Sequence, residues 1–270
     1  HCKIVLGGHH PTFFPEKVLT CPEVDFVLRG EGEKSMALLC DALKKGTDLK
    51  QIPGIAFKKK NSFHISDPTW IKDFNSLSLP ASDLINYNFY QRRNKSSIMV
   101  VSSRGCPMQC SYCSVSASSS HGPFRQRKIK DIIMEIKRQA EIHNIGFIDF
   151  EDENLCLNKQ WFLKLFLKIK KLFADKNVEL RAMNGLYPPA IDEDIVSLMK
   201  ASGFKALNLS LGSTSKNQLK KFKRHDVTAS FEHALFLAEK YDLDCVSYII
   251  AAAPGQTAQS SLEDLLYLAQ

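Results

Sequence analysis

The residues best suited to chemistry in this sequence are three thiols, Cys106, Cys110 and Cys113. They stand three and then two residues apart in Ser103-Arg104-Gly105-Cys106-Pro107-Met108-Gln109-Cys110-Ser111-Tyr112-Cys113. Ligands that converge on one metal centre come from a chain short enough to fold around it, and iron-sulfur clusters take Cys thiolates, usually four. No fourth Cys follows within a few residues, so a cluster held here keeps one iron open to a ligand that is not protein. A structural zinc site is the alternative; it wants four Cys or His ligands and would recruit His121 or Cys156 as the missing one. Against it, zinc knuckles favour paired CxxC units. A second reactive group is Glu151-Asp152-Glu153-Asn154, where crowded carboxylates are costly unless a cation relieves them. Its plain alternative is a solvated acidic turn that caps the next helix.

The thiol loop follows the apolar run Ile98-Met99-Val100-Val101, which reads as a strand. From there the chain alternates strands, over 98–102, 146–150, 178–182, 206–211 and 244–250, with amphipathic helices. Helical stripes are carried by Ile129, Ile132, Ile133 and Ile136, by Trp161, Leu165, Phe166, Ile169 and Leu172, by Ile195, Leu198 and Met199 ahead of Gly203 as a C-cap, and by Phe231, Ala234, Leu235 and Ala238. A last helix is predicted from Ser260, with Glu263 completing a capping box. Five βα units counted this way suggest a partial barrel without its sixth strand, and in such barrels chemistry sits on loops at the carboxyl ends of the strands.

Upstream, Lys3-Ile4-Val5-Leu6-Gly7-Gly8 reads as a buried strand running into a glycine turn with no Met before it, which predicts a piece of a longer chain. A short helix over 15–19, a strand over 24–28 and a helix over about 34–44, its apolar face Met36, Leu39, Cys40 and Leu43, continue an open α/β pattern. Residues 51–66 read as a hairpin turning at Lys60-Asn61-Ser62, and 67–96 as a linker marked by Pro68 and Pro80. The predicted division is therefore 1–48, 49–95 (hairpin and linker) and 96–270.

Hydrophobic residues make up 44% and charged residues 24% of the 270, ordinary for a globular protein. Eight irregularly spaced Cys and no secretory signal point to the reducing cytosol, with thiols free or metal-bound. No apolar run reaches the length of a membrane span. The net charge of +7 is spread over separate runs such as Lys58-Lys59-Lys60 and Lys220-Lys221-Phe222-Lys223-Arg224. These read as solvated faces rather than a nucleic-acid surface.

The CxxxCxxC spacing with Tyr112 just before the third Cys resembles the signature of the radical SAM superfamily. Gly7-Gly8-His9-His10-Pro11-Thr12 and Val24-Asp25-Phe26-Val27-Leu28-Arg29-Gly30-Glu31-Gly32-Glu33 are similar to the closing half of the cobalamin-binding domain that precedes one large class of those enzymes. The resemblance implies an α/β protein: the C-terminal half of a Rossmann-like cobalamin-binding domain, then a partial (β/α)6 radical SAM barrel. It implies a 4Fe-4S cluster on Cys106, Cys110 and Cys113, S-adenosylmethionine (SAM) chelated at the open iron, and a 5′-deoxyadenosyl radical that attacks an unactivated carbon. With cobalamin, which Gly7, Gly8 and His10 would approach, the outcome is methyl transfer or a rearrangement. SAM contacts are implied at Tyr112, Asp152, Glu153 and Asn154, at Arg181, at Ser210 and Ser213, and at Ala252 in a segment similar to Gly-x-Pro-Gly-Glu-Thr.

The chain departs from the family pattern at Gly212, where an acid usually stands, at Ala252 in place of Gly and at Gln256 in place of Glu. Phe124-Arg125-Gln126-Arg127 fits a position where the family often has a cation. Plainer roles stand beside these: a tight turn at Gly7-Gly8, a rim ion pair for Arg181, helix capping by Ser213 or Thr214, and solvated arginines at 125 and 127. The implied partners are a small-molecule or lipid-like substrate and a reductant such as flavodoxin or ferredoxin. The competing functions are a non-catalytic metal, cluster or corrinoid module, and a tRNA methylthiotransferase, which would carry further cluster and RNA-binding domains.

Overall fold

The computed structural model describes residues 2–117 and 124–270. The chain divides into two compact units, one of His1–Leu77 with Tyr112–Pro123, the other of Ser78–Ser111 with Phe124–Gln270.

The first unit is built on β1 (Val5–Gly7), α1 (His9–Phe13), α2 (Pro15–Leu19), β2 (Phe26–Leu28), α3 (Glu33–Lys45), β3 (Ile55–Lys59) and β4 (Ser62–Ile65). Its sheet runs in that strand order, β1 and β2 parallel, the rest antiparallel. Leu39 and Ala42 of α3 pack on one face with Phe26, Leu28 and Ile55, while Val18 and Leu19 of α2 pack on the other with Val27 and Ala56. The face expected of α3 is corrected here. Only Leu39 of the four is buried; Met36, Cys40 and Leu43 are exposed, and Ser35 and Ala42 complete the buried stripe. The buried face is thus rotated toward small side chains and away from three of the four larger ones. The hairpin expected over 51–66 is present as β3 and β4, and β3 also pairs with β2, extending the first sheet. The stretch after it is ordered by 3-10 turns and buries Ile71, Phe74 and Tyr87.

The second unit begins with β5 (Gln91–Arg92), β6 (Lys95–Val100) and β7 (Ser103–Arg104). After the short α4 (Ser114–Ala117) of the first unit come β8 (Arg125–Gln126), α5 (Ile129–Ile142), β9 (Ile145–Phe150), α6 (Lys159–Leu172), β10 (Glu179–Arg181), α7 (Glu193–Ser202) and β11 (Ala206–Gly212). The chain ends with α8 (Lys216–Phe222), α9 (Thr228–Lys240), β12 (Asp244–Ile249) and α10 (Ala258–Leu268). Strands β6, β9 and β10 are parallel neighbours, as are β11 and β12. Parallel bridges Leu180 to Phe204 and Leu186 to Leu209 join the two sets. The five long strands thus lie side by side in chain order, each separated from the next by helix, as βα units require.

Helix starts follow side-chain caps: Asn158 accepts from the Trp161 N–H, and Asp192 from the Ile195 N–H. The helix stripes close on the sheet through a fully buried aromatic cluster, with Phe166 at 4.3, 5.1 and 5.3 Å from the rings of Phe162, Phe150 and Phe204. Two expectations shift. The last helix starts at Ala258, capped by the Thr257 hydroxyl rather than by Ser260, and α8, capped by Ser215, stands where the hydrophobic pattern predicts no helix.

Candidate functional site

The thiol loop leaves the carboxyl end of β6, beside the carboxyl end of β9, with Val100 in register with Phe150. The segments beyond the two strands are tied together. Asp152 is buried and accepts from the Ser102 N–H (3.2 Å), the Ser102 hydroxyl (2.7 Å) and the Ser103 hydroxyl. Burial raises its carboxyl to about 6 against the opposing pull of these donors. The clamp acts just ahead of Cys106. It is reinforced by Arg127, which donates to the Val101 carbonyl (3.1 Å) and pairs with the buried Glu135 of α5 at 2.6 Å. Burial pushes the Glu135 carboxyl up and Arg127 pulls it back. Trp161 closes this corner by donating its indole N–H to the Arg127 carbonyl at 3.2 Å.

The far side of the loop is held by α8. Ser111 donates its N–H to the Phe222 carbonyl (2.9 Å) and its hydroxyl to the Lys221 carbonyl (2.7 Å). Carbonyls at a helix end lack intrahelical partners, so docking a loop there satisfies both sides. Beyond α8, Lys223 takes a left-handed conformation and the chain doubles back. Arg224 then donates to the Ser210 carbonyl (2.5 Å) and lies 3.2 Å from the Ser210 hydroxyl.

Cys110 is buried and Cys106 and Cys113 are half-buried; none is in a disulfide. Cys106 and Cys110 belong to the second unit, while Tyr112, which is exposed, and Cys113 fall in the segment grouped with the first. Among the described residues no three His, Cys, Asp or Glu side chains are gathered tightly enough to enclose one ion. The thiols are spaced along the loop as the sequence sets them, and thiolate ligands are drawn together by the metal they bind. The donor types fit an iron-sulfur cluster: three soft sulfur ligands within eight residues, on a loop anchored ahead of Cys106 and at Ser111. The set does not gain a zinc ligand from Cys156, which is 1% exposed within the helix-packed core and whose thiol burial pushes up. His121 lies outside the described residues.

The strand residues that alternate with the helix-packed Ile98, Val100, Ile148 and Phe150 face the other way. There the Ser97 hydroxyl donates to Asp149 (2.6 Å), and Arg181, in register with Asp149, stands 3.6 Å from it. Arg181 also donates to Glu179 at 2.7 Å and covers the Phe147 ring at 4.3 Å. Arg181 thus makes the rim ion pair. Asn184 donates to Glu151 (3.1 Å), and the Tyr248 hydroxyl lies 3.0 Å from Asn208 Oδ1. One carboxylate oxygen of Glu153 and Oδ1 of Asn154 are buried with no hydrogen-bond partner among the described residues.

Two implied contacts are spent on the fold. Ser213, 1% exposed, donates to Asp264 of α10, which is itself fully buried and also accepts from the Thr214 N–H and hydroxyl. Ser210 is engaged by Arg224. Ala252 adopts φ 56, a left-handed conformation that favours glycine. Arg125 is buried and pairs in β8 against Arg104 of β7, and Arg127 is consumed by Glu135, so neither is a solvated charge. In the first unit Gly8 has φ 95 with open space where a Cβ would stand, and His10 is exposed, its ring 5.4 Å from that of Phe14. Thr12 locks this turn by donating to the Gly8 carbonyl (2.7 Å) and accepting from the Gly30 N–H (2.9 Å). Sequence reasoning missed Asp149, Asp264 and Arg224. A polar residue inside the apolar run 145–150 marks Asp149; the other two have no local signal, because the fold brings them in.

Comparison with known proteins places this geometry. The family model described as the Radical SAM superfamily matches residues 100–268. An uncharacterized methyltransferase of Pyrococcus horikoshii is 28% identical over 258 residues, covering 95% of this chain and 55% of that protein. An anaerobic magnesium-protoporphyrin IX monomethyl ester cyclase of Synechocystis is 27% identical over 246 residues, covering 89% of this chain and 48% of the cyclase. Among solved structures, TsrM of Kitasatospora setae with tryptophan and a SAM analogue superposes with a TM-score of 0.82 at 17% identity, over 99% of this chain and 53% of TsrM. The chain thus spans about half the length of these relatives.

Proposed function

The chain belongs to the radical SAM superfamily, and from that premise we propose that it is part of a cobalamin-dependent radical SAM enzyme acting on an unactivated carbon, by methyl transfer or a related rearrangement. The observation that carries the reading is the thiol loop held by Asp152 ahead of Cys106 and by the α8 carbonyls at Ser111, between Cys110 and Cys113. In this reading Cys106, Cys110 and Cys113 hold a 4Fe-4S cluster. When bound, the cluster supplies the electron that cleaves SAM, and cobalamin supplies a methyl carrier.

The chain's own part is placement. Asp152 and Arg127 fix where the loop starts, and Glu153 and Asn154 offer buried acceptors suited to an ammonium group of SAM. The polar face of Ser97, Asp149, Glu151, Asn184 and Tyr248 orients a substrate. The second unit reads as a partial (β/α)6 barrel, and the first as the closing half of a cobalamin-binding domain. There Gly7, the open backbone at Gly8 and the nearby His10 suit the approach of a corrinoid tail. Relatives support this pairing of cofactors, since the TsrM structure carries cobalamin and a 4Fe-4S cluster and the OxsB structure aqua-cobalamin and SAM. A hopanoid C-3 methylase among the relatives suits a lipid-like substrate, and a flavodoxin- or ferredoxin-type protein suits the reductant. No helix among the described residues is long and apolar enough to cross a membrane.

The test is anaerobic reconstitution with iron and sulfide, reduction, and assay of SAM cleavage. The expected product is 5′-deoxyadenosine, absent from Cys110→Ala; an intact cluster that yields none sinks the reading.

A further inference from the structure

We propose that Arg224 supplies a fixed positive charge beside the cluster loop and thereby eases reduction of the cluster. The inference rests on the reading that Cys106, Cys110 and Cys113 hold one, and it concerns a residue that no part of that reading uses. Two observations converge on this side chain, both within the second unit.

The first is the short connection to the thiols. Ser111, next to Cys110, is bonded through both its N–H and its hydroxyl to the carbonyls of Phe222 and Lys221. Arg224 follows two residues later and is folded back by its own N–H to the Leu219 carbonyl at 3.0 Å. The second is that the guanidinium is held in one place. It donates to the Ser210 carbonyl near the end of β11, and its central carbon lies 5.9 Å from the Tyr187 ring centroid. Gly212 makes the room: with φ 86, a Cβ there would come within 3.1 Å of Arg224 Nε and 3.2 Å of Cδ.

A guanidinium stays protonated at every accessible pH. A cluster on thiolates gains negative charge when it takes up an electron, so a fixed cation nearby stabilises the reduced form over the oxidised one. Arg224 is a positioning residue in this sense. It need not touch SAM or substrate.

The experiment compares reconstituted wild type, R224Q and R224K by redox titration, following the electron paramagnetic resonance signal of the reduced cluster, with iron and sulfide content measured first. For R224Q the expected result is a reduction equilibrium about tenfold less favourable, a midpoint about 59 mV lower for one electron. R224K, which keeps the charge, is expected to recover most of that shift, and a merely structural arginine would not produce this split. An unchanged midpoint in R224Q overturns the proposal, as does an R224K midpoint as low as that of R224Q. Loss of the cluster from both variants alike also overturns it, in favour of a purely structural role. A wild-type chain that assembles no cluster removes the functional reading and this inference together, whereas a normal cluster with an unmoved midpoint removes this inference alone.

Discussion

Replacing Asp152 by Asn tests the clamp at the head of the thiol loop, and the magnitude follows from the buried carboxyl. Its value rises from an ordinary 3.8 to about 6 in the fold, chiefly by burial. A raised folded value means that the stability contribution is complete below the unfolded value and lost as pH climbs through the folded one. Between those two values the ionised group becomes steadily more costly. At pH 7 the cost is about 3 kcal/mol and at pH 5 about 2, so acidification from 7 to 5 returns roughly 1 kcal/mol. The Asp152→Asn variant has no proton to bind at this position and gains nothing from the change. Its amide oxygen can still accept from the Ser102 N–H while its NH2 donates to the two serine hydroxyls, so any cost of the substitution itself is the same at every pH. The assay is urea unfolding at pH 5, 6 and 7 in a Trp70→Phe background, leaving Trp161, whose indole is bonded to the Arg127 carbonyl beside the clamp, as the probe. Subtracting the variant from wild type cancels every other titrating group. The wild-type midpoint minus that of the variant should rise by about 0.3 M between pH 7 and 5, at an m of about 3 kcal/mol/M. Parallel pH profiles for the two proteins would refute a carboxyl poised near 6.

Three other perturbations probe the surroundings of the site. Glu135→Leu leaves the Arg127 guanidinium, 11% exposed, without its 2.6 Å partner and should cost about 3–5 kcal/mol in chemical denaturation, most of it regained when Arg127→Met is added; a double variant no better than the single contradicts this. Ala252→Gly removes a side chain from a left-handed backbone at φ 56 and should stabilise by about 1 kcal/mol, seen as a rise in Tm. A fall in Tm would show that the methyl group contributes more through packing than the strain costs. Phe166→Ala opens a hole among Phe150, Phe162 and Phe204 and should lower unfolding free energy by about 3–5 kcal/mol; a loss under about 1 kcal/mol would mean that the helices collapse into the space.

The strands of the second unit are legible in the sequence because each is a short apolar run with few alternatives, and the expected and observed spans for β9, β11 and β12 differ by no more than a residue at either end. Helix stripes such as Ile132 and Ile136, or Leu165, Phe166 and Ile169, are legible for the same reason, since their 3.6-residue period decides which side is buried. The face of α3 is misleading because Ser35 and Ala42 are small and carry little hydropathy, while the larger Met36 and Leu43 remain exposed. Helix α8 is hidden because its seven residues include three lysines, and its buried face consists of Gln218, Leu219 and Phe222 alone. The thiol loop declares itself through spacing. Its anchors do not, because Asp152 is separated from Ser102 by fifty residues and Ser111 from Lys221 by 110.

The departures of this chain from the family pattern are coupled in space. A glutamate at 256 would bring a second carboxylate toward the fully buried Asp264, where the Gln256 amide now lies 3.5 Å away as a donor. Asp264 is already the acceptor for Ser213 and Thr214 just beyond β11, so a neutral donor at 256 is the electrostatically favoured choice. An acid at 212 would need a strained left-handed backbone and would crowd Arg224. Gln256 accepts from the Ala253 N–H (3.1 Å), which shapes the turn at Gly255; the Gly255 carbonyl accepts from Lys221 Nζ (2.8 Å), and the Lys221 carbonyl accepts from Ser111. A continuous set of contacts therefore runs from Asp264 on α10 to the residue beside Cys110. Gly212 and Gln256 are thus each tied to a contact of the second unit: Gly212 leaves room for Arg224, and Gln256 donates to Asp264 and shapes the turn whose Gly255 carbonyl binds Lys221.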